Sequence, residues 1–186
     1  MKKVFSLILV LVILFTFNGC AYDAFGHETY TDVTDYTSAF ELPEIRYYNA
    51  RDELFPRDVS NLNVDSFYFE WELGIVGSAD VETLLSVTYE QDVFSTEIAR
   101  LQSLVNGEVV YDEERFSLPA YVTVLGALET SVYALVDTDN LKIHYIYLQL
   151  LDKARIDIPN DFLPSGYYGY GDISGEKVDV YEYIDL

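Results

Sequence analysis

Few side chains in this sequence have the types and spacing that catalysis requires. The chain has two histidines, His27 and His144, and nothing in their positions brings them together into a zinc site, which combines several His or Cys ligands. No Gly-x-Ser-x-Gly sequence, the usual signature of a nucleophile elbow, accompanies His144, although geometry alone leaves a Ser-His-Asp triad open. We therefore expect His144 to be a packed residue of a strand, and we predict a non-enzymatic protein with no catalytic residues and no cofactor.

Carboxylates occur at two spacings that carry chemistry in other proteins. Glu70 and Glu72 share one face of a predicted strand, about 7 Å apart, a separation compatible with the paired carboxylates of glycosidases. Residues 137–140 (Asp-Thr-Asp-Asn) begin like a calcium loop, but Lys142 and Leu148 stand where an EF-hand needs Gly and Glu. A solvated strand face and a hairpin turn explain both patterns in so acidic a chain. The sequence predicts no metal site.

The most suggestive binding feature is a loop of three tyrosines separated by glycines, Tyr167, Tyr168 and Tyr170. Glycines free the backbone, and tyrosine rings offer flat amphipathic surfaces of the kind that recognition loops use. The loop is a candidate ligand-binding site for a saccharide or a peptide. The alternative is a carboxy-terminal segment that wraps the edge of a sheet.

Composition limits the class of protein. With 32 acidic and 11 basic residues the formal net charge is −21, and such a surface repels nucleic acid. Half of the residues are hydrophobic, including 17 Tyr and 11 Phe, which is enough to fill a core despite the charge. The sequence predicts a folded domain that binds no nucleic acid.

Hydrophobic periodicity predicts the architecture. Alternation over residues 65–75 and 81–89 indicates two half-buried strands, each with one polar face that includes Glu70 or Glu82. Three strand-like runs follow at 121–127, 131–137 and 141–151, and the last is apolar on both faces and therefore central. Because the connections are short, we expect antiparallel pairing.

One helix is predicted at about 92–105. Apolar residues recur there at helical spacing, Asp92 is a suitable N-cap, and the opposite side is expected to face solvent (Glu97, Arg100, Gln102 and Ser103). The predicted fold class is α+β, a mainly antiparallel β-sheet with this amphipathic helix packed on it.

The first twenty residues indicate where the protein is located. Lys2 and Lys3 precede an apolar run over residues 4–17, which would form about 21 Å of helix and is too short for a permanent span. The run ends in Phe-Asn-Gly followed by Cys20, the one cysteine of the chain. Gly19 and Cys20 match the end of a lipobox, so the segment resembles the signal peptide of bacterial lipoproteins.

This resemblance implies that cleavage occurs before Cys20 and that the cysteine carries lipid, such as palmitate, on its sulfur and amino group. Two or more chains anchor a protein stably to a membrane. The implied location is the extracytoplasmic face of the cell membrane. An ordinary secretory signal cleaved near Ala21 or Ala24 and an uncleaved amino-terminal anchor are the alternatives.

The predicted organisation is a signal peptide (1–19), a lipidated cysteine and tether (20–40) and a single α+β domain (41–186). The expected function is a membrane-tethered lipoprotein, a non-enzymatic interaction module whose partner is an envelope protein or a saccharide. The alternative function is a lipoprotein that binds a small ligand, either a saccharide or a divalent cation.

Overall fold

Six antiparallel strands form one sheet in the protein. The computed structural model describes residues 26–41, 53–73, 79–104, 116–127, 130–149 and 156–164. The strands are β1 (His27–Tyr30), β2 (Asn63–Leu73), β3 (Ala79–Thr88), β4 (Ala120–Ala127), β5 (Thr130–Asp137) and β6 (Lys142–Gln149). Their order in the sheet is β1-β2-β3-β6-β5-β4. The helices of the described part are α1 (Tyr36–Phe40) and α2 (Gln91–Leu104), with 3-10 turns at Val33–Asp35 and Asn160–Phe162. The predicted α+β class is confirmed.

The first face of the sheet carries the larger hydrophobic core. Alternate residues of β2 point to it, and Phe67, Phe69 and Trp71 are all buried there, as the alternation of the sequence predicts. The register places Phe67 opposite Leu85, and Trp71 opposite Val81. Helices α1 and α2 cover this face.

Helix α2 packs on the sheet through the predicted apolar stripe. Phe94 and Leu101 are buried, and Ile98 is partly buried beside them. The helix begins one residue earlier than predicted, because the carbonyl of Glu90 accepts the N–H of Phe94 over 2.7 Å. Asp92 lies in the first turn, where its carboxylate accepts the N–H of Val93.

Strand β6 is central, lying between β3 and β5. Tyr145 belongs to the core on the first face and Ile146 to a second core on the opposite face, so the two-sided apolar run of the sequence is explained. The run at 137–140 forms the turn between β5 and β6, where the carboxylate of Asp137 accepts hydrogen bonds from the backbone and side chain of Asn140.

The second face of the sheet is also covered, contrary to the prediction of a solvated polar face. Phe116, Ile158 and Leu163 are buried against it, and they enclose the polar residues that alternate with the core residues of β3. Glu82 is only 1% exposed as a result. The alternation identified the two faces of the strand, but the segments that cover the second face have no regular periodicity.

Residues 27–40, which the sequence analysis placed in a tether, form β1, a 3-10 turn and α1. β1 pairs with β2, where His27 is opposite Glu72, and Tyr36 and Ala39 of α1 are buried in the first core. The Tyr36 hydroxyl donates to the carbonyl of Pro56 over 2.6 Å. Tyrosines in a polar stretch thus bury their rings while the hydroxyl stays hydrogen-bonded.

Candidate functional site

A groove of about 690 Å³ runs between α2 and the segment 53–62. Five residues of α2 line it, and they lie at successive helical positions on one side of the helix: Val93, Thr96, Glu97, Arg100 and Leu104. This side is adjacent to the stripe that faces the core. Eleven residues separate the first and last lining positions, so the groove extends about 16 Å along the helix.

A hydrogen-bonded network lies at the base of this groove and is called its floor below. Tyr89, Glu97 and Arg100 line the groove, and Tyr145 is buried behind them. Tyr145 of β6 donates to the carboxylate of Glu97 over 2.6 Å, and Tyr89 lies 2.6 Å from the Tyr145 hydroxyl. Arg100 binds both carboxylate oxygens of Glu97, at 2.5 and 2.8 Å. The network therefore connects the centre of the sheet to α2.

Arg100 also fixes the opposite wall of the groove. Its guanidinium donates to the backbone carbonyls of Glu53 and Leu54, each over 2.6 Å. Leu54 and Phe55 are buried in the first core, where the Phe55 ring lies 5.7 Å from that of Tyr145. The arginine thus attaches residues 53 and 54 to the helix through their backbone carbonyls.

The protonation states on the floor follow from burial and charge. Burial raises the pKa of Tyr145 well above that of a free tyrosine, and the charges of Tyr89 and Glu97 act in the same direction. Burial alone would lower the pKa of Arg100, but the hydrogen bond and charge of Glu97 outweigh it and the pKa is raised. The floor therefore holds the ion pair of Glu97 and Arg100 beside the phenol groups of Tyr89 and Tyr145.

The rim of the groove is exposed and mixed in character. Val93, at the amino-terminal end of the groove, is 43% exposed. Glu53, Arg57 and Asp58 are exposed along the other wall. The backbone N–H and side chain of Ser60 lower the pKa of Asp58, so that carboxylate is ionised.

A cluster of carboxylates lies on the opposite face of the sheet. Glu70 and Glu82 are cross-strand neighbours, and one oxygen of each lies within 4.8 Å of an oxygen of Asp157. Glu82 accepts the backbone N–H groups of Asp157 (2.9 Å) and Ile158 (3.3 Å). Its contacts attach this covering segment to β3, which is a structural role. Carboxylates are cation ligands in many proteins, but an acidic cluster in so acidic a chain does not by itself identify a cation site.

Glu70 also connects the edge strand to the sheet. Its carboxylate lies 2.7 Å from Nε2 of His27 in β1 and accepts a hydrogen bond from Tyr68. Glu72, the other member of the carboxylate pair considered from the sequence, is exposed and lies opposite Asp80. The side chain of Glu70 thus contacts a neighbouring strand, whereas Glu72 is exposed between His27 and Asp80, its partners in the register.

His144 is a packed residue, as predicted. Its Nδ1 lies 2.7 Å from the Ser86 hydroxyl, both residues are buried, and Phe162 covers the ring with centroids 4.3 Å apart. Burial and then the charge of Lys142 lower the pKa of His144, outweighing Asp137. A neutral imidazole paired with a serine beneath an aromatic ring is a contact of the core.

Several sites considered from the sequence lie outside the described residues. They are Cys20 and the tyrosines of the glycine-spaced loop (Tyr167, Tyr168 and Tyr170). They stay predictions.

The sequence did not predict the groove, and its expectation of a solvated side of α2 holds for Gln102 and Ser103, which are exposed, but not for Glu97 and Arg100. Glu97 and Arg100 were expected to be solvated, but the side chains are only 13% and 34% exposed. The sequence feature that could have indicated an ion pair is the spacing of Glu97 and Arg100, three residues apart on one helix. What the sequence could not reveal is Tyr145, which lies 48 residues further along the chain.

A scan against protein-family models and searches of curated proteins and of solved structures find no match. Within the described ranges, no helix combines the length and the apolar character needed to cross a membrane.

Proposed function

We propose that this chain is a lipid-anchored protein of the extracytoplasmic face of a cell membrane, with a non-enzymatic domain that binds an envelope protein. The observation that carries the proposal is the single cysteine, Cys20, placed where the apolar run of the leader stops. Ordinary secretion and an uncleaved anchor are the competing interpretations of the same leader.

The position of β1 supports a domain held close to the membrane. Six residues, 21–26, separate Cys20 from the first residue of β1, and even fully extended they reach only about 23 Å. Under this proposal, a lipidated Cys20 brings the β1 edge of the sheet nearest to the bilayer.

The charge of the domain supports an upright position. A formal net charge of −21 repels a leaflet that contains anionic lipids, so the domain does not lie flat on the headgroups. The same charge attracts basic partners from solution over about a Debye length, near 10 Å at moderate salt.

Metabolic labelling tests the anchor. The wild-type chain is expected to take up labelled palmitate and to stay in the membrane fraction, whereas the Cys20→Ser variant loses both properties. If the variant keeps the label and the membrane association, the anchor assignment is wrong.

Chemical cross-linking in intact cells at native abundance tests the interaction role. One dominant envelope protein is the expected capture. A captured set that is unchanged when the folded domain is removed would contradict the role, because the lipid anchor alone would then explain it.

Small-ligand binding stays the alternative prediction from the sequence, through the tyrosine-glycine loop or the acidic residues. Calcium or an oligosaccharide would raise the melting temperature under that alternative and leave it unchanged under the proposal.

A further inference from the structure

We propose that the groove between α2 and the segment 53–62 binds a basic, partly apolar peptide segment of the partner protein. The inference deepens the proposed function, because it specifies the chemistry of the partner that an interaction module would recognise. It is carried by the shape of the groove and by the distribution of charge around it.

The groove offers apolar contacts at both ends and along one wall. Val93 lies at the beginning of the helix and Leu104 at its end, and Leu62 and Pro56 contribute from the opposite segment. A length of about 16 Å accommodates roughly five residues of an extended peptide. Apolar side chains of such a segment would remove the exposed Val93 from water.

The charge around the groove favours a cationic occupant. On the floor, the charges of Arg100 and Glu97 offset each other. The electrostatic potential in the groove is therefore set by the charged residues of the rim. Exposed carboxylates there come from Glu53 and Asp58, and Glu90 and Asp92, also exposed, flank the end of the groove that contains Val93. Lysine or arginine side chains of a partner would complement these groups.

Arg57 is a basic residue on this otherwise acidic rim, and replacing it tests which sign of charge the groove prefers in its ligand. Its positive charge opposes a basic peptide and would attract an anionic ligand. Removing this charge should therefore tighten the binding of a basic segment and weaken the binding of an acidic one.

A second copy of the chain is a poor occupant. Each copy carries a formal charge of −21, so association through the acidic rim would place like charges together. A basic partner gains from the same field that a second copy would have to overcome.

Fluorescence anisotropy with a short labelled peptide tests the proposal. The full chain is placed in phosphatidylcholine nanodiscs and titrated against an amidated heptapeptide of alternating lysine and leucine. The control probe has glutamate in place of lysine, and empty nanodiscs give the background. We expect the lysine peptide to bind at least roughly ten-fold more tightly, and its affinity to fall with added salt.

Matched variants locate the binding. Val93→Gln should weaken binding about five-fold. Val33→Gln changes the other large apolar residue that is exposed within the described ranges (37% exposed), and it should leave binding within about two-fold. Arg57→Gln should tighten binding about two-fold. Equal effects of the two valine variants, or weaker binding by Arg57→Gln, would overturn the proposal. Circular dichroism of each variant checks that it is folded.

This test and the test of the anchor fail independently. Loss of palmitate labelling in the wild-type chain would contradict the proposed location without changing peptide binding. Equal binding of the lysine and glutamate peptides by a chain that is correctly lipidated would contradict the groove alone.

Discussion

Tyr145, in the central strand of the sheet, donates a hydrogen bond to Glu97 of α2 over 2.6 Å. The bond crosses the interface between the sheet and its helical cover, and Arg100 continues it to the backbone at Glu53 and Leu54. One network therefore joins three separate parts of the chain, and it forms the floor of the proposed binding groove.

Arg100→Gln should destabilise the fold by about 2 kcal/mol. The substitution removes two hydrogen bonds to Glu97 and two to backbone carbonyls, and it leaves a partly buried carboxylate with Tyr145 as its remaining donor on the floor. Urea unfolding followed by the fluorescence of Trp71, the single tryptophan, measures the change. Arg57→Gln, which removes the same charge from an exposed position, should cost less than about 0.5 kcal/mol. An equal loss of unfolding free energy in the two variants would show that the removed charge, and not the hydrogen bonds of Arg100, explains the effect.

Thr83→Val should stabilise the protein. The Thr83 hydroxyl is fully buried in β3 and has no hydrogen-bond partner among the residues that the structure describes. A valine of similar shape therefore removes the cost of desolvating it, about 1 kcal/mol. A rise in melting temperature of roughly 2–4 °C is expected. The matched control is Thr88→Val in the same strand, where the hydroxyl donates to Asp65 over 2.7 Å. That variant should lose stability, and a gain in both variants would point to strand propensity instead.

Gly26→Ala should destabilise the start of β1 by about 1–3 kcal/mol. Gly26 has a φ of +45°, which L-residues avoid, and a Cβ there would lie 2.5 Å from the Trp71 ring. Thermal melts by circular dichroism measure the loss. In the Trp71→Phe background the same substitution should cost less, since the smaller ring relieves the contact. An identical cost in both backgrounds would assign the whole effect to the backbone.

His144 should make stability fall as the pH is lowered below about 6.5. Because its pKa is lower in the folded state than the usual 6.5, only the unfolded chain takes up this proton as the pH falls from 6.5 toward the folded-state pKa. The contribution is complete above pH 6.5. Urea unfolding at pH 7.5 and pH 5.5 measures it in the His27→Gln background, where His144 is the only histidine. His144→Gln should show a smaller loss than its parent, and an unchanged loss would assign the dependence to other groups.

The sequence predicted the parts of the fold that repeat along the chain. Alternation over β2, the two-sided apolar run of β6 and the apolar stripe of α2 each reflect a burial pattern with a fixed period. The order of the strands could not be predicted from the sequence. The pairing of β3 with β6 joins residues about 60 apart, and either edge of β6 could pair with several other strands.

The candidate site was less accessible to sequence analysis. The groove depends on a tyrosine, a glutamate and two backbone carbonyls that meet only in the folded chain. The burial of Glu82 was missed for a related reason, since the segment 156–158 that covers it has no periodicity to read. In both cases the polar residue occupies a position in the periodic pattern where a solvent-exposed residue is expected. Its burial depends on tertiary packing, which the pattern does not contain.

Intact-mass spectrometry of the chain purified from cell membranes tests the central claim most directly. The proposal predicts a species that begins at Cys20 and carries the added mass of lipid acyl chains. A chain that begins near Ala21 or Ala24 without lipid, or one that still begins at Met1, would contradict it.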